Sequence, residues 1–280
     1  MKQEWQLDGH VALVTGGRRG IGRGIAHRLA VAGAAVVLAA ETISDEGLDS
    51  TCAEIERAGG QVAIMAFDLA NVEERSNAIA KAAEFFGPID ILVNNAAFNS
   101  REYASNMPLA NRERVFAVNL QGPIDLIQQA LPTMRERGWG RIVNICSETM
   151  RQSAIPYPGP EQYIHSLAIY GSSKIALERY TIGLAAELHG SGVHANATYP
   201  YRVCVTEMNS DAAKQALKAH PDWAESVEMM AEATMALIGG PFTGLSRGSR
   251  DILQLLQCPL RALDGKTIIG DANTLANLDT

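Results

Sequence analysis

Short apolar runs alternate along this chain with longer stretches of helical period. The runs at 10–15, 35–40, 61–67, 89–94, 141–146, 193–199 and 266–270 predict strands. Several are apolar without alternation, as in Val36-Val37-Leu38 and Ile91-Leu92-Val93, which predicts strands buried on both faces of a parallel sheet. Amphipathic stretches predict helices at 21–32, 45–58, 72–86, 112–137 and 169–189, and Gly33, Gly59-Gly60, Gly87 and Gly138 close four of them. Strands alternating with helices through short links predict an α/β fold, a doubly wound and mostly seven-stranded parallel sheet with right-handed crossovers. No repeat, low-complexity segment or linker divides the sequence, so residues 1–280 read as a single domain.

In an open parallel sheet, ligands bind outside the carboxyl ends of the strands. The first predicted strand runs into Thr15-Gly16-Gly17-Arg18-Arg19-Gly20-Ile21-Gly22, a turn of spacing G-x-x-x-G-x-G ahead of a helix. Glycine has no Cβ, so the turn can bend tightly and let backbone N–H groups approach a phosphate. The helix that starts there adds its positive dipole end. A glycine-rich turn can also do no more than join a strand to a helix. The other strand ends carry Ala40-Glu41, Asp68-Leu69, Asn94-Asn95-Ala96-Ala97, Ser147-Glu148 and Pro200-Tyr201.

Composition narrows the reading. The 47% hydrophobic and 20% charged content is that of a soluble globular protein. A formal net charge of −7 leaves no basic face for nucleic acid. No apolar run is long enough to span a bilayer, and residues 1–5 lack the apolar segment of a signal peptide, so a cytoplasmic protein with no membrane partner is expected. Cys52, Cys146, Cys204 and Cys258 are scattered, with no C-x-x-C and no nearby His at ligand spacing. They read as reduced thiols, and no metal site is expected.

Taken in order, Thr15-Gly16-x-x-x-Gly20-Ile21-Gly22, Asp68, Asn94-Asn95-Ala96-Ala97, Asn119 in Val118-Asn119-Leu120, Ser147 and Tyr170-Gly171-Ser172-Ser173-Lys174 form a set. The set resembles the short-chain dehydrogenase/reductase family, from about residue 10 to the last strand. The resemblance implies a Rossmann-like fold, an NAD or NADP cofactor, a small carbonyl or alcohol substrate, and a homo-oligomer built on the helices near 112–137 and 169–189. It implies a catalytic set of Asn119, Ser147, Tyr170 and Lys174. Gly16, Arg18, Arg19, Gly20, Ile21, Gly22, Glu41, Asp68, Leu69, Asn95, Ala96, Pro200 and Thr206 would bind the cofactor together with Tyr170 and Lys174. In the family the lysine also holds the nicotinamide ribose and the asparagine keeps a water in a proton relay, which implies those roles for Lys174 and Asn119. Asp68 would contact the adenine.

Residue chemistry supports part of this. Tyr170 and Lys174, four apart, lie on one face of a helix. A lysine cation beside a phenol favours the phenolate, drawing its pKa down from about 10. Tyr170 can then serve as acid for ketone reduction or base for alcohol oxidation. Ser147 would polarise a substrate carbonyl as charge develops on its oxygen. Structural roles stand beside these: Ser147 as a turn or cap serine, Asn119 as a helix-kink residue, Asp68 as a helix cap.

Three features depart from the family pattern. Ser147 and Tyr170 are 23 positions apart, more than usual, and the added segment contains Pro156-Tyr157-Pro158-Gly159-Pro160. Proline makes a rigid loop the expectation; Tyr163 and His165 would then touch substrate or a neighbouring subunit, or simply ride on a surface excursion. Tyr201 follows Pro200 where glycine is usual, and Thr206 falls one position late. Arg202 could anchor an acidic substrate group or be a plain surface arginine. Finally, Ala40 stands where an NAD enzyme carries an acid and Glu41 one step beyond, while Arg19 favours NADP; the balance leans to NAD. The loops at about 148–167 and 201–223 would shape the substrate side. An NAD(P)-dependent interconversion of a secondary alcohol and a ketone is the leading function. A catalytically silent dinucleotide-binding scaffold, or a dehydratase or isomerase on the same fold, are the alternatives.

Overall fold

The computed structural model describes residues 5–42, 46–151, 166–207, 209 and 211–270. Its centre is a seven-stranded sheet in which every pairing is parallel. The strands are Val11–Thr15 (β1), Ala35–Ala40 (β2), Val62–Ala66 (β3), Ile91–Asn94 (β4), Gly140–Ile145 (β5), Val193–Tyr199 (β6) and Ser246–Gly248 (β9), ordered β3-β2-β1-β4-β5-β6-β9. The order reverses direction between β1 and β4, which opens a crevice at their carboxyl ends.

Both faces of the sheet are covered. Ala12, Val14, Val36 and Leu38 pack on one side with Ile25 and Leu29 of the helix Gly20–Val31 (α1). Leu13, Val37 and Leu92 face the other side, against Leu126 and Ile127 of the helix Gly122–Glu136 (α6). That two-sided burial is why these strands read as unbroken apolar runs. Each fully buried Leu, Ile or Val contributes roughly 1.5–3 kcal/mol.

The remaining helices are Glu46–Arg57 (α2), Val72–Arg75 (α3), Ala78–Phe86 (α4), Leu109–Phe116 (α5), Ala168–Glu187 (α7), Asp211–Ala219 (α8), Val227–Gly239 (α9) and Ser249–Leu256 (α10). Three predictions need correction. The predicted helix 72–86 is two helices, because the Ser76 hydroxyl donates to the Glu73 carbonyl at 2.7 Å and competes with the helical pattern. The predicted helix 112–137 starts earlier, at Leu109, and is interrupted by a π-helical turn, Ala117–Gln121, between α5 and α6. Pro123 has no N–H to offer the carbonyl of Asn119 four residues before it, which accounts for the disturbance.

The predicted strand 266–270 is not the seventh strand. Ile268–Gly270 (β11) pairs antiparallel with Leu260–Arg261 (β10), apart from the main sheet, whose seventh place goes to Ser-Arg-Gly of β9. A second small ribbon pairs Val203–Cys204 (β7) with Ala224–Glu225 (β8). The buried helix α9 also went unread. Residues from Met229 to Ile238 are all buried, so no polar stripe marks it as amphipathic. All four cysteines are free thiols, and burial pushes Cys146 up to about 12.

Candidate active site

The turn after β1 is held by the turn after β4. The Thr15 hydroxyl accepts from the N–H groups of Asn95 and Ala96 at 3.0 and 3.1 Å, and the Asn95 amide donates to the carbonyls of Thr15 and Gly16 at 2.9 and 3.1 Å. Gly16 sits at φ +66, and a Cβ there would stand 3.0 Å from Asn95 Nδ2 and Ala96 Cα. At Gly22 a Cβ would lie 2.3 Å from the Gly16 carbonyl oxygen. The chain therefore needs glycine at both places for the turn to close this tightly. Gly20 opens α1, and its N–H donates to Glu207 Oε2 at 3.1 Å. A carboxylate thus already occupies the anion-seeking end of this helix. Arg23 pairs with the same carboxylate at 3.2 Å and with Glu54 at 2.6 Å.

A cleft of about 350 Å³, the size of a small-molecule site, extends from this turn across the ends of β1, β2, β3 and β4. Of the residues expected at the cofactor, it is lined by Gly16, Arg18, Arg19, Gly20, Ile21, Glu41, Asp68, Leu69, Asn95, Ala96 and Thr206. Gly22 and Pro200 do not line it, nor do the four catalytic candidates. Asp68 does not cap the following helix; the Asn71 side chain does, accepting from the N–H groups of Glu73 and Glu74. Asp68 instead accepts from Ala70 N–H at 2.8 Å and from Arg114 at 3.0 Å. Arg75, buried against Asp125, donates to the Leu69 carbonyl at 2.8 Å and fixes this loop from below. Glu41 is not a lone acid: Arg114 Nη2 lies 3.0 Å from its Oε1. The lean to NAD rested on Glu41 repelling a 2′-phosphate, and the Arg114 guanidinium at its side offsets that charge, so the lean does not hold.

Three of the catalytic candidates, Ser147, Tyr170 and Lys174, follow β5 in the chain. Ser147 has an extended backbone and opens a short 3-10 turn, Glu148–Met150; its Oγ accepts from Thr149 N–H at 3.3 Å and Thr149 Oγ1 at 2.9 Å. It is thus a cap as well as a candidate catalytic hydroxyl. Gly171 lets α7 approach this turn, since a Cβ there would stand 2.5 Å from the Thr149 carbonyl oxygen. Tyr170 and Lys174 share one face of α7, the ammonium 5.8 Å from the centre of the phenol ring. Lys174 is buried, donates to the Ile145 carbonyl at 2.8 Å, and has its pKa lowered by that burial.

Asn119 sits in the π-helical turn, fully buried. Its amide donates to the Phe98 carbonyl at 2.9 Å and to Ser173 Oγ at 3.0 Å, and accepts from Phe98 N–H at 2.8 Å. Ser173 Oγ donates in turn to the Tyr170 carbonyl at 2.7 Å. Below, Asn94 donates to Asn144, and Asn144 to Thr181 of α7, at 2.8 and 2.7 Å. Buried side-chain hydrogen bonds thereby set α7 against β4 and β5. Residues 152–165, which include Tyr163 and His165 and most of the added loop, lie outside the described residues.

Tyr201 in place of glycine causes no backbone strain; among the described residues only Gln257 is a non-glycine with positive φ. The turn after β6 is tied instead to Glu225, a residue the sequence reading missed. Its buried carboxylate accepts from Arg202 N–H at 3.0 Å and from Ser249 Oγ at 2.6 Å, while Ser249 Oγ accepts from Tyr201 N–H at 3.2 Å. Burial pushes this carboxyl up to about 7. Arg202 is exposed, with Nε donating to the Asp222 carbonyl at 3.0 Å, as a surface arginine would. From this base, Thr206 reaches back to Gly20: its Cγ2 would stand 3.2 Å from a Cβ there. Among the described residues, no group of His, Cys, Asp or Glu could hold a metal ion, and no helix is long and apolar enough to cross a membrane.

A crevice at the reversal point of a parallel sheet, entered by a glycine turn and flanked by a Tyr-Lys helix, defines a class of dinucleotide-fold oxidoreductases. The short chain dehydrogenase profile matches residues 10–217, and the chain belongs to that family. It is 34% identical to a ketoacyl reductase of Nostoc over 76% of this chain and 70% of that protein. It is 30% identical to an uncharacterized oxidoreductase of Mycobacterium tuberculosis over 98% and 96% of the two chains. A crystal structure of a 3-oxoacyl (acyl-carrier-protein) reductase from Agrobacterium tumefaciens with NADP bound superposes with a TM-score of 0.77 at 28% identity, covering 89% of this chain and 95% of that one. The protein is an oxidoreductase of this family.

Proposed function

We propose that the protein interconverts a secondary alcohol and a ketone, using a nicotinamide dinucleotide held along the cleft, with Tyr170 as acid and base. When bound, the dinucleotide supplies or accepts the hydride. The tight closure of the turn at Gly16 and the Glu207 carboxylate on Gly20 N–H mark a place built for an anion. The Gly16–Gly22 turn would hold the diphosphate, and Asp68, Leu69, Ala96 and Asn95 would flank the adenosine.

Ser147 would donate to the substrate oxygen and stabilise charge developing there. The Tyr170 hydroxyl would deliver the proton to that oxygen in reduction and remove it in oxidation. The Lys174 ammonium, 5.8 Å from the centre of the phenol ring, would favour the phenolate form and bind the nicotinamide ribose. Asn119 would support the helix and a water leading protons outward. The observation that carries this reading is the juxtaposition on α7 of Tyr170 and Lys174, locked to Asn119 through Ser173. The cofactor is read as NAD or NADP. Exposed Leu109, Ile175 and Ile182 on α5 and α7 support a homo-oligomer through these helices, with light scattering as its check. A cytoplasmic location fits this activity, with fractionation as its check.

A panel of ketones, secondary alcohols, diols and sugars assayed at high enzyme concentration by nicotinamide absorbance tests the reading. Oxidation or reduction of one class supports it. Nucleotide binding with no redox change across the panel would point to a silent scaffold. Turnover of substrate with constant nicotinamide absorbance would point to a dehydratase or isomerase.

A further inference from the structure

Glu41 and Asp68 end neighbouring strands of the sheet, and one cation serves both. Arg114 Nη2 stands 3.0 Å from Glu41 Oε1, and Nη1 and Nη2 stand 3.0 and 3.4 Å from the two oxygens of Asp68. The guanidinium carbon lies 5.3 Å from the centre of the Phe98 ring. All four residues line the same cleft, which Arg18 and Arg19 also line: three arginines against two carboxylates. Arg114 comes from α5, 73 residues beyond Glu41 in the chain.

The geometry suits exchange. Side-chain exposure is 32% for Arg114 and 66% for Glu41, so their attraction is screened by water and the pair opens at small cost. The aromatic face of Phe98 keeps the guanidinium in place whichever anion it meets. A guanidinium can take a phosphate through the same forked geometry it offers a carboxylate. An unpaired Glu41 would repel a 2′-phosphate on the adenosine ribose and would accept well from a 2′-hydroxyl.

We propose that Arg114 is the cofactor-specificity residue of this cleft: its pairing with Glu41 and Asp68 admits a 2′-phosphorylated nucleotide, and its loss makes the cleft select the 2′-hydroxyl form. The proposal rests on the reading of the cleft as a dinucleotide site. It would let a chain with an acid just past β2 accept NADP, and it moves the choice of cofactor from the glycine turn to α5.

The test is binding, measured by calorimetry on the full chain with NADPH, NADH, ADP-ribose and 2′-phospho-ADP-ribose, for wild type, Arg114→Ala, Arg114→Lys, Glu41→Gln and the double variant Arg114→Ala/Glu41→Gln. Arg114→Ala should weaken NADPH and 2′-phospho-ADP-ribose at least tenfold, and leave NADH and ADP-ribose within threefold or tighter. Arg114→Lys, which keeps the charge without the fork, should fall between. Adding Glu41→Gln to Arg114→Ala should recover much of the lost NADPH affinity. A ratio of NADPH to NADH affinity that stays within twofold in Arg114→Ala, with ADP-ribose still bound, overturns the assignment and leaves the dinucleotide reading standing. Failure of wild type to bind any of the four ligands overturns both.

Discussion

The two ends of the site are built on opposite principles. At the glycine-turn end of the cleft, Glu41 pairs with Arg114 and Glu207 pairs with Arg23, in part-exposed ion pairs that a ligand can displace. Around Tyr170 and Lys174, the fully buried Asn119 and Ser173 are joined by uncharged hydrogen bonds that run from the partly buried Phe98 to the Tyr170 carbonyl. An exposed pair is worth up to about 1 kcal/mol and weakens with salt. A buried polar group stripped of its partner costs about 1–3 kcal/mol. The first end can exchange partners and tune affinity; the second is preorganised and tolerates little change.

Three substitutions sharpen that contrast. Asn119→Ala would strand the Phe98 N–H and carbonyl and unseat Ser173. Stability should fall by about 3 kcal/mol in denaturant unfolding; a loss below 1 kcal/mol would mean the chain is not the brace proposed here. Glu225→Gln tests the buried turn after β6 through pH. With its pKa raised to about 7, Glu225 favours folding most below its unfolded pKa, and that stability is lost as pH rises through about 7. The melting temperature of wild type should therefore drop relative to Glu225→Gln between pH 5 and pH 8; parallel curves would contradict it. The smallest effect belongs to the exchangeable end. Glu207→Gln removes the carboxylate that competes for Gly20 N–H, and nucleotide affinity should rise two- to fivefold, less at high salt. Unchanged affinity would place Glu207 outside the nucleotide's path.

Much of the frame was legible because it is local. The runs at Val36-Val37-Leu38 and Ile91-Leu92-Val93 declared a two-sided sheet, and the glycines at 16 and 22 declared a tight bend. What escaped depends on distant partners. Glu41 looked like an acid awaiting a ribose, because nothing near it announces Arg114. Glu225 lies in no motif; only the fold brings it under Tyr201 and Arg202. The strand Ser246–Gly248 has no apolar pattern, and α9 has too much of one.

The central claim is that chemistry lives at Tyr170 while nucleotide affinity lives across the cleft. Tyr170→Phe, which removes one hydroxyl, tests it when turnover and NAD(P)H binding are measured on the same preparation. Turnover should fall by about 100-fold or more, with the dissociation constant within twofold of wild type. Near-normal turnover in that variant would contradict the account.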